Sequence, residues 1–118
     1  MILAVVGSRS INDEGVIFRQ LDSLLSFNSD IELVVTGGAK GVDTIAAGWA
    51  KLNSIEVKVI RPDYSSHPPR IAPLIRNREI VNCSDYIIAI WDGKSRGTKY
   101  VINYAKKVGK IVKIFLVE

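Results

Sequence analysis

Apolar residues gather in five short runs, and between the runs they recur at helical intervals. The runs cover 2–6 (ILAVV), 33–36 (LVVT), 57–60 (VKVI), 86–90 (YIIAI) and 111–116 (IVKIFL), and all are rich in β-branched residues. Their apolarity is continuous instead of alternating, which predicts strands covered on both faces, as in a parallel sheet. In the first intervening segment Ile17, Leu21, Leu24 and Leu25 fall on one helical face. In the second, Val42, Ile45, Ala46, Trp49 and Ala50 follow the i, i+3, i+4, i+7, i+8 spacing and form the strongest stripe of the chain. The third helix, expected over 72–83, is weaker because Arg76, Arg78 and Glu79 interrupt its apolar face. The fourth, expected over 98–108, carries Tyr100, Val101, Tyr104, Ala105 and Val108, with Gly109 as its C′ residue.

Strands and helices therefore alternate with short connections. That order predicts an α/β, Rossmann-like, doubly wound parallel five-stranded sheet with helices on both faces. Right-handed crossovers favour the strand order 3-2-1-4-5, which places a switch point between the first and fourth strands. Residues 1–118 suffice for one domain with a real core, which at this size buries roughly two-thirds of the surface its unfolded chain exposes. The irregular piece is 61–70 (RPDYSSHPPR), whose prolines keep it out of helix and strand.

Composition narrows the classes. At 47% hydrophobic residues the chain is not of the disordered type. One cysteine, Cys83, and one histidine, His67, cannot make a disulfide or a zinc site, so neither a metal nor a cofactor is expected. No apolar stretch approaches the ~20 residues of a bilayer span, and the first run lacks the basic flank and cleavage site of a signal peptide. The expectation is a cytoplasmic protein without a membrane partner. The net charge of +4 is uneven: Lys94, Arg96, Lys99, Lys106, Lys107, Lys110 and Lys113 follow one another with no carboxylate between them. Such a stretch attracts phosphorylated ligands or nucleic acid, or is simply a solvated helix face.

In a doubly wound sheet, ligands sit at the carboxyl ends of the strands near the switch point. Gly7, Ser8 and Arg9 follow the first strand; Gly37, Gly38, Lys40 and Gly41 follow the second, ahead of Asp43; Trp91, Asp92, Gly93, Ser95, Arg96, Gly97 and Thr98 close the fourth. Glycine allows positive φ and close backbone approach, and the free N–H groups of a following helix favour an anion. Arg9, Lys40, Lys94 and Arg96 add positive charge, and Ser8, Ser95 and Thr98 add hydroxyl donors. Three such turns converging at one edge predict a phosphate pocket. None has the Walker A or GxGxxG spacing, which argues against an NTPase or a standard dinucleotide dehydrogenase.

GSR after the first strand, VVTGGAKGVDTIAAGWA, RNREI in the third helix and DGKSRGT before the fourth resemble the SLOG superfamily. That is the SMF/DprA and Lonely Guy group of Rossmann-like domains, and the chain is most similar to the YspA-type, cpYpsA-related branch. The resemblance runs in order along nearly the whole chain. It implies binding of a nucleotide or a nucleotide-derived phosphorylated ligand, as a sensor or binding module. Two alternatives come with it: an N-glycoside hydrolase or transferase acting on nucleoside monophosphates, and a DprA-like single-stranded nucleic acid binder.

In the Lonely Guy phosphoribohydrolases an arginine of the third helix and a glutamate after a GGxGT motif serve catalysis. Arg76 and Glu79 stand where that resemblance puts catalytic residues, and Arg78 is read with Arg76 as a ligand contact. Beyond Thr98, however, Lys99, Tyr100 and Val101 replace the family's glutamates. Cleavage of a glycosidic bond needs a carboxylate to support the oxocarbenium-like centre or activate water. The missing carboxylate favours binding over catalysis. Trp91 suits base stacking or packing, and Asp43 suits ribose contact or the helix dipole. Tyr64 and Asp63 could close over a ligand, while His67, Asp85 and Cys83 read as loop, turn and packing residues. Tyr100, Tyr104 and Ile71, read as exposed, suit a homodimer face.

Overall fold

The computed structural model describes residues 1–28 and 30–118. Nine elements alternate along the chain: β1 (Ile2–Gly7), α1 (Glu14–Phe27), β2 (Leu33–Thr36), α2 (Val42–Leu52), β3 (Glu56–Val59), α3 (Ala72–Asn82), β4 (Tyr86–Trp91), α4 (Arg96–Lys107) and β5 (Ile111–Leu116). The strands form one parallel sheet in the order β3-β2-β1-β4-β5. This is the α/β, Rossmann-like, doubly wound arrangement that the alternating pattern predicts.

Strand periodicity sorts the core into two layers. Leu3, Val5, Val34, Ile88 and Ile90 point to one face, where Ile17, Leu21 and Leu24 of α1 and Val42, Ala46, Trp49 and Ala50 of α2 cover them. Ala4, Val6, Val35, Ile87 and Ala89 point to the other, under Ile80 and Val81 of α3 and Val101, Ile102 and Ala105 of α4. The three central strands are buried on both sides, which is why they read as unbroken apolar runs.

The two edge strands depart from that expectation. In β5, Ile111, Ile114 and Leu116 are 62%, 39% and 51% exposed, and Glu56, Lys58 and Val59 of β3 also face solvent. Two helices per face span the central strands and reach only the inner flank of each edge. Element boundaries move slightly as well: β3 starts one residue before the predicted run, and α4 starts at Arg96 instead of Thr98. The end of α4 is as expected, with Gly109 at φ 77° closing it through an N–H bond to the Lys106 carbonyl. No helix among the described residues is long and apolar enough to cross a membrane.

Candidate functional site

The switch point between β1 and β4 opens a cleft of about 400 Å³ at the carboxyl ends of the strands. All three turns singled out in the sequence reach it, through Gly7, Ser8 and Arg9, through Gly37 and Asp43, and through Asp92, Ser95, Gly97 and Thr98. Arg76 of α3 completes the set.

The turn between β2 and α2 is closed on itself. Asp43, only 6% exposed, accepts from the Gly37 N–H (3.0 Å) and the Ala39 N–H (3.3 Å) through one oxygen, Oδ2. Burial pushes the Asp43 pKa up to about 6, against the opposing pull of those two N–H groups and of the Arg76 and Arg9 charges. Arg76 braces the same turn. Its Nη1 donates to the carbonyls of Gly37 (2.8 Å) and Ile60 (3.3 Å), and its Nε donates to Asn77 Oδ1 (2.8 Å). Partial burial lowers the Arg76 pKa from its usual value. A Cβ at Gly37 would lie 2.8 Å from Arg76 Nη1 and 3.0 Å from Asp43 Oδ2, so a side chain there would displace the arginine from the turn. The Gly37 and Ala39 N–H groups thus serve Asp43, while α2 starts at its N-cap Gly41 without a side-chain cap. Asp43 so takes up two of the donors that the expected phosphate would use at this turn, as Asp92 does at the turn before α4.

The start of α4 is different. No acidic residue stands in its first turn, and its N-cap Ser95, like Gly41 of α2, makes no side-chain capping bond to the helix N–H groups. The Ser95 hydroxyl belongs to a chain of hydrogen bonds instead. The Asp92 N–H donates to Ser8 Oγ (3.0 Å), Ser8 and Ser95 share a hydrogen bond of 2.8 Å, and Ser95 Oγ donates to Thr98 Oγ1 (3.2 Å). With that polarity, the Thr98 hydroxyl hydrogen ends the chain and finds no acceptor among the described residues. Beside it, Gly97 has open space: a Cβ there would meet no atom within 4 Å. Gly7, by contrast, is excluded from carrying a side chain by Ile90 O and Val42 Cγ2, both 2.5 Å from a Cβ.

Asp92 organises this second turn. Its Oδ1 accepts from the Lys94 and Ser95 N–H groups, both at 2.8 Å, and its Oδ2 accepts from Ser10 Oγ (3.1 Å). Those donors, the backbone N–H groups first, hold its pKa down at about 2.

Several expected residues lie elsewhere. Trp91 packs into the α3/α4 layer and donates from Nε1 to the Ser95 carbonyl (3.0 Å), so it is a strut of the turn and not part of the cleft lining. Arg78 donates to the Tyr100 hydroxyl (2.7 Å) and lies 5.7 Å from the Tyr104 ring centroid, on the α3–α4 surface. Glu79 is exposed and outside the cleft lining. Gly38, Lys40, Gly41, Gly93 and Arg96 shape or flank the turns without lining the cleft. Gly41, at φ 75°, lets the backbone pass the carbonyls of Ser8 and Arg9, 2.8 and 2.7 Å from a Cβ. Tyr100 and Tyr104 are half-buried and stacked at 6.4 Å, with Tyr104 bonded to Asn82, so they are not the exposed pair expected of a dimer face.

The sequence reading passed over Ser10, Ala39, Asn77 and the apolar floor of Val6, Ile80 and Val101. Helical spacing could have found part of this. Ile80 follows Arg76 at i+4 and Asn77 at i+3, and Val101 follows Thr98 at i+3, whereas Arg78 lies about 200° around the helix from Arg76. Among the described residues, no group of histidine, cysteine and carboxylate side chains is arranged to hold a metal ion.

Comparison with known proteins gives the following. A family model described as YAcAr, the YspA, cpYpsA-related SLOG family, matches residues 1–67, so the RNREI and DGKSRGT segments lie beyond the matched stretch. The Gene 61 protein of Mycobacterium phage D29 is 31% identical over 111 residues, covering 89% of this chain and 88% of the phage protein. DNA processing protein A (DprA) from Streptococcus pneumoniae superposes with a TM-score of 0.74 at 21% identity, over 98% of this chain and 50% of that one. The Helicobacter pylori DprA, whose structure is described for its single-stranded DNA binding mode, gives a TM-score of 0.77 at 22% identity, over 100% and 66%. The chain thus spans about half to two-thirds of these DprA chains. A protein described as TM1055 is similar at a TM-score of 0.71 and 22% identity, over 94% and 71%. At these identities the likeness to the solved structures is one of fold.

Proposed function

The chain belongs to the YspA, cpYpsA-related SLOG family, and on that premise we propose that its cleft binds a nucleotide or nucleotide-derived phosphorylated ligand, as a sensor or binding module. The start of α4 carries this reading. The helix presents its first N–H groups uncapped, the hydrogen-bond chain through Ser8 and Ser95 delivers a spare Thr98 hydroxyl hydrogen, and Gly97 leaves room for close approach. Donors converging at the positive end of a helix suit a phosphate. Arg9, exposed at the mouth, adds a cation. The apolar floor of Val6, Ile80 and Val101 offers a dry wall for the non-phosphate part of the ligand.

A binding role suits the carboxylates better than a catalytic one. Asp92, held at about 2, is a poor proton carrier at neutral pH. Asp43 would have to abandon two backbone N–H groups to act, and Glu79 lies outside the cleft. Nucleoside mono- and diphosphates, ADP-ribose and cyclic nucleotides should raise Tm, while the parent nucleosides should not. A ligand at a hundredfold above its Kd adds ~2.7 kcal/mol, roughly a 10 °C rise for a domain of this size. Arg9→Ala should abolish most of the rise and leave the ligand-free Tm unchanged. Should no phosphorylated compound move Tm at millimolar concentration, the reading fails.

A further inference from the structure

We propose that the free edge of β5 pairs antiparallel with β5 of a second copy, joining two five-stranded sheets across a two-fold axis. The two edges of the sheet are built differently. β3 is four residues long and carries exposed Glu56 and Lys58, the short and charged form that blunts an edge. β5 is six residues long, and three of its four exposed positions are apolar, Ile111, Ile114 and Leu116, with Lys113 the fourth. An edge of this length and apolarity is a template for another strand.

The backbone and the charges together select one register. The Val117 N–H donates to the Trp91 carbonyl, so by strand alternation Phe115 and Lys113 also turn their backbone groups toward β4. Val112, Ile114 and Leu116 therefore present their N–H and C=O groups to the free edge. In a two-fold antiparallel pair these outward residues must face one another. Centring the pair on Lys113 sets two ammonium groups opposite each other, which is destabilising. Centring it on Ile114 sets Ile114 against its own copy, Val112 against Leu116, and Lys113 against Phe115.

The same register, unlike one centred on Phe115, sets Lys110 opposite Glu118 at both ends, where the Lys110 ammonium keeps two hydrogens beyond its bond to the Ser84 carbonyl. Val112 packs into the α3/α4 layer, so the Val112, Ile114 and Leu116 side chains of both copies line up on that side and cover the surface that α4 leaves bare. Antiparallel pairing puts the two clefts at opposite edges of the joined sheet, where neither obstructs the other. Self-association here does not depend on what the cleft binds.

Sedimentation equilibrium from micromolar to millimolar protein should show the mass doubling with concentration. Ile114→Lys should abolish the doubling while the monomer keeps its Tm. Register is read separately in a Cys83→Ser background under mild oxidation. Paired Ile114 Cα atoms would stand about 5.5 Å apart, within disulfide range. Ile114→Cys should therefore crosslink the copies, whereas Lys113→Cys should not. A monomer at every concentration, a dimer that survives Ile114→Lys, or crosslinking at 113 in place of 114 would each overturn the proposal.

Discussion

At the scale of single residues, Asp43 couples the architecture of the β2–α2 turn to pH. Its carboxylate satisfies the N–H groups of Gly37 and Ala39, yet burial raises its pKa to about 6, above the 3.8 of an unperturbed aspartate. The folded state therefore binds the Asp43 proton more tightly than the unfolded chain does. The stability linked to that proton is fully present below the unfolded value and is lost as pH rises through about 6. A displacement of this size is worth up to ~3 kcal/mol. Asp92 works in the opposite sense: held at about 2, it contributes above the ordinary aspartate range and loses its contribution as pH falls toward that value. Subtracting one variant from wild type isolates the first effect. Asp43→Asn keeps an oxygen for both N–H groups and cannot ionise, so its Tm should match or exceed wild type at pH 8 and lose that advantage at pH 4. Thermal melts across that range check it; a constant difference between the two proteins would mean that Asp43 titrates as it does in the unfolded chain.

Among the elements, α4 separates what the fold needs from what the cleft needs, because two glycines at the same site answer to different causes. Gly7 ends β1 where Val42 of α2 and the Ile90 carbonyl leave no room for a Cβ, whereas nothing in the protein requires a glycine at 97. Gly97→Ala should hold or raise the ligand-free Tm, since alanine is the better helix former by up to ~1 kcal/mol. It should nevertheless weaken a phosphorylated ligand at least tenfold, because the methyl group occupies the space beside the helix start. Gly7→Ala should lower Tm sharply with or without ligand. Calorimetry of both variants tests the contrast, and unchanged affinity in Gly97→Ala would move the phosphate away from α4. The turns that make this site were legible in the sequence, since glycine, serine and threonine at strand ends announce themselves locally. What was not legible was how each turn spends its donors. Asp43 takes two of them from the first turn of α2, and only the folded geometry reveals that both of its backbone partners lie within reach of one oxygen. Trp91 shows the same gap from the other side. It ends a buried strand at the mouth of the site, but strand alternation turns its ring into the α3/α4 layer.

For the molecule as a whole, strand order and helix placement followed from periodicity and handedness, while coverage of the edges did not. A continuous apolar run looks the same whether its second face meets a helix or solvent, so β5 read like β4 although three of its apolar residues are exposed. The basic stretch from Lys94 to Lys113 likewise reads as one feature and divides in three dimensions. Lys94, Arg96 and Lys99 stand at the cleft end of α4, whereas Lys106 and Lys107 occupy its last turn and Lys110 donates to the Ser84 carbonyl ahead of β4. A rise of 1.5 Å per residue puts Lys106 about 15 Å along the axis from Arg96. That exceeds the screening length of about 8 Å at physiological ionic strength, so the far lysines contribute little to the field at the cleft. Binding of a compact phosphorylated ligand should therefore fall only shallowly with salt, and the double substitution Lys106→Glu, Lys107→Glu should leave its Kd within about twofold at physiological ionic strength. A bound single strand of nucleic acid that ran the length of α4 would behave otherwise, losing affinity with a log–log slope of about −0.7 per phosphate neutralised and weakening markedly in the double variant. Titrations at two salt concentrations, with a mononucleotide and with an oligonucleotide, separate the two cases. A tenfold loss of mononucleotide affinity in the double variant would place the ligand along the helix instead of at its start.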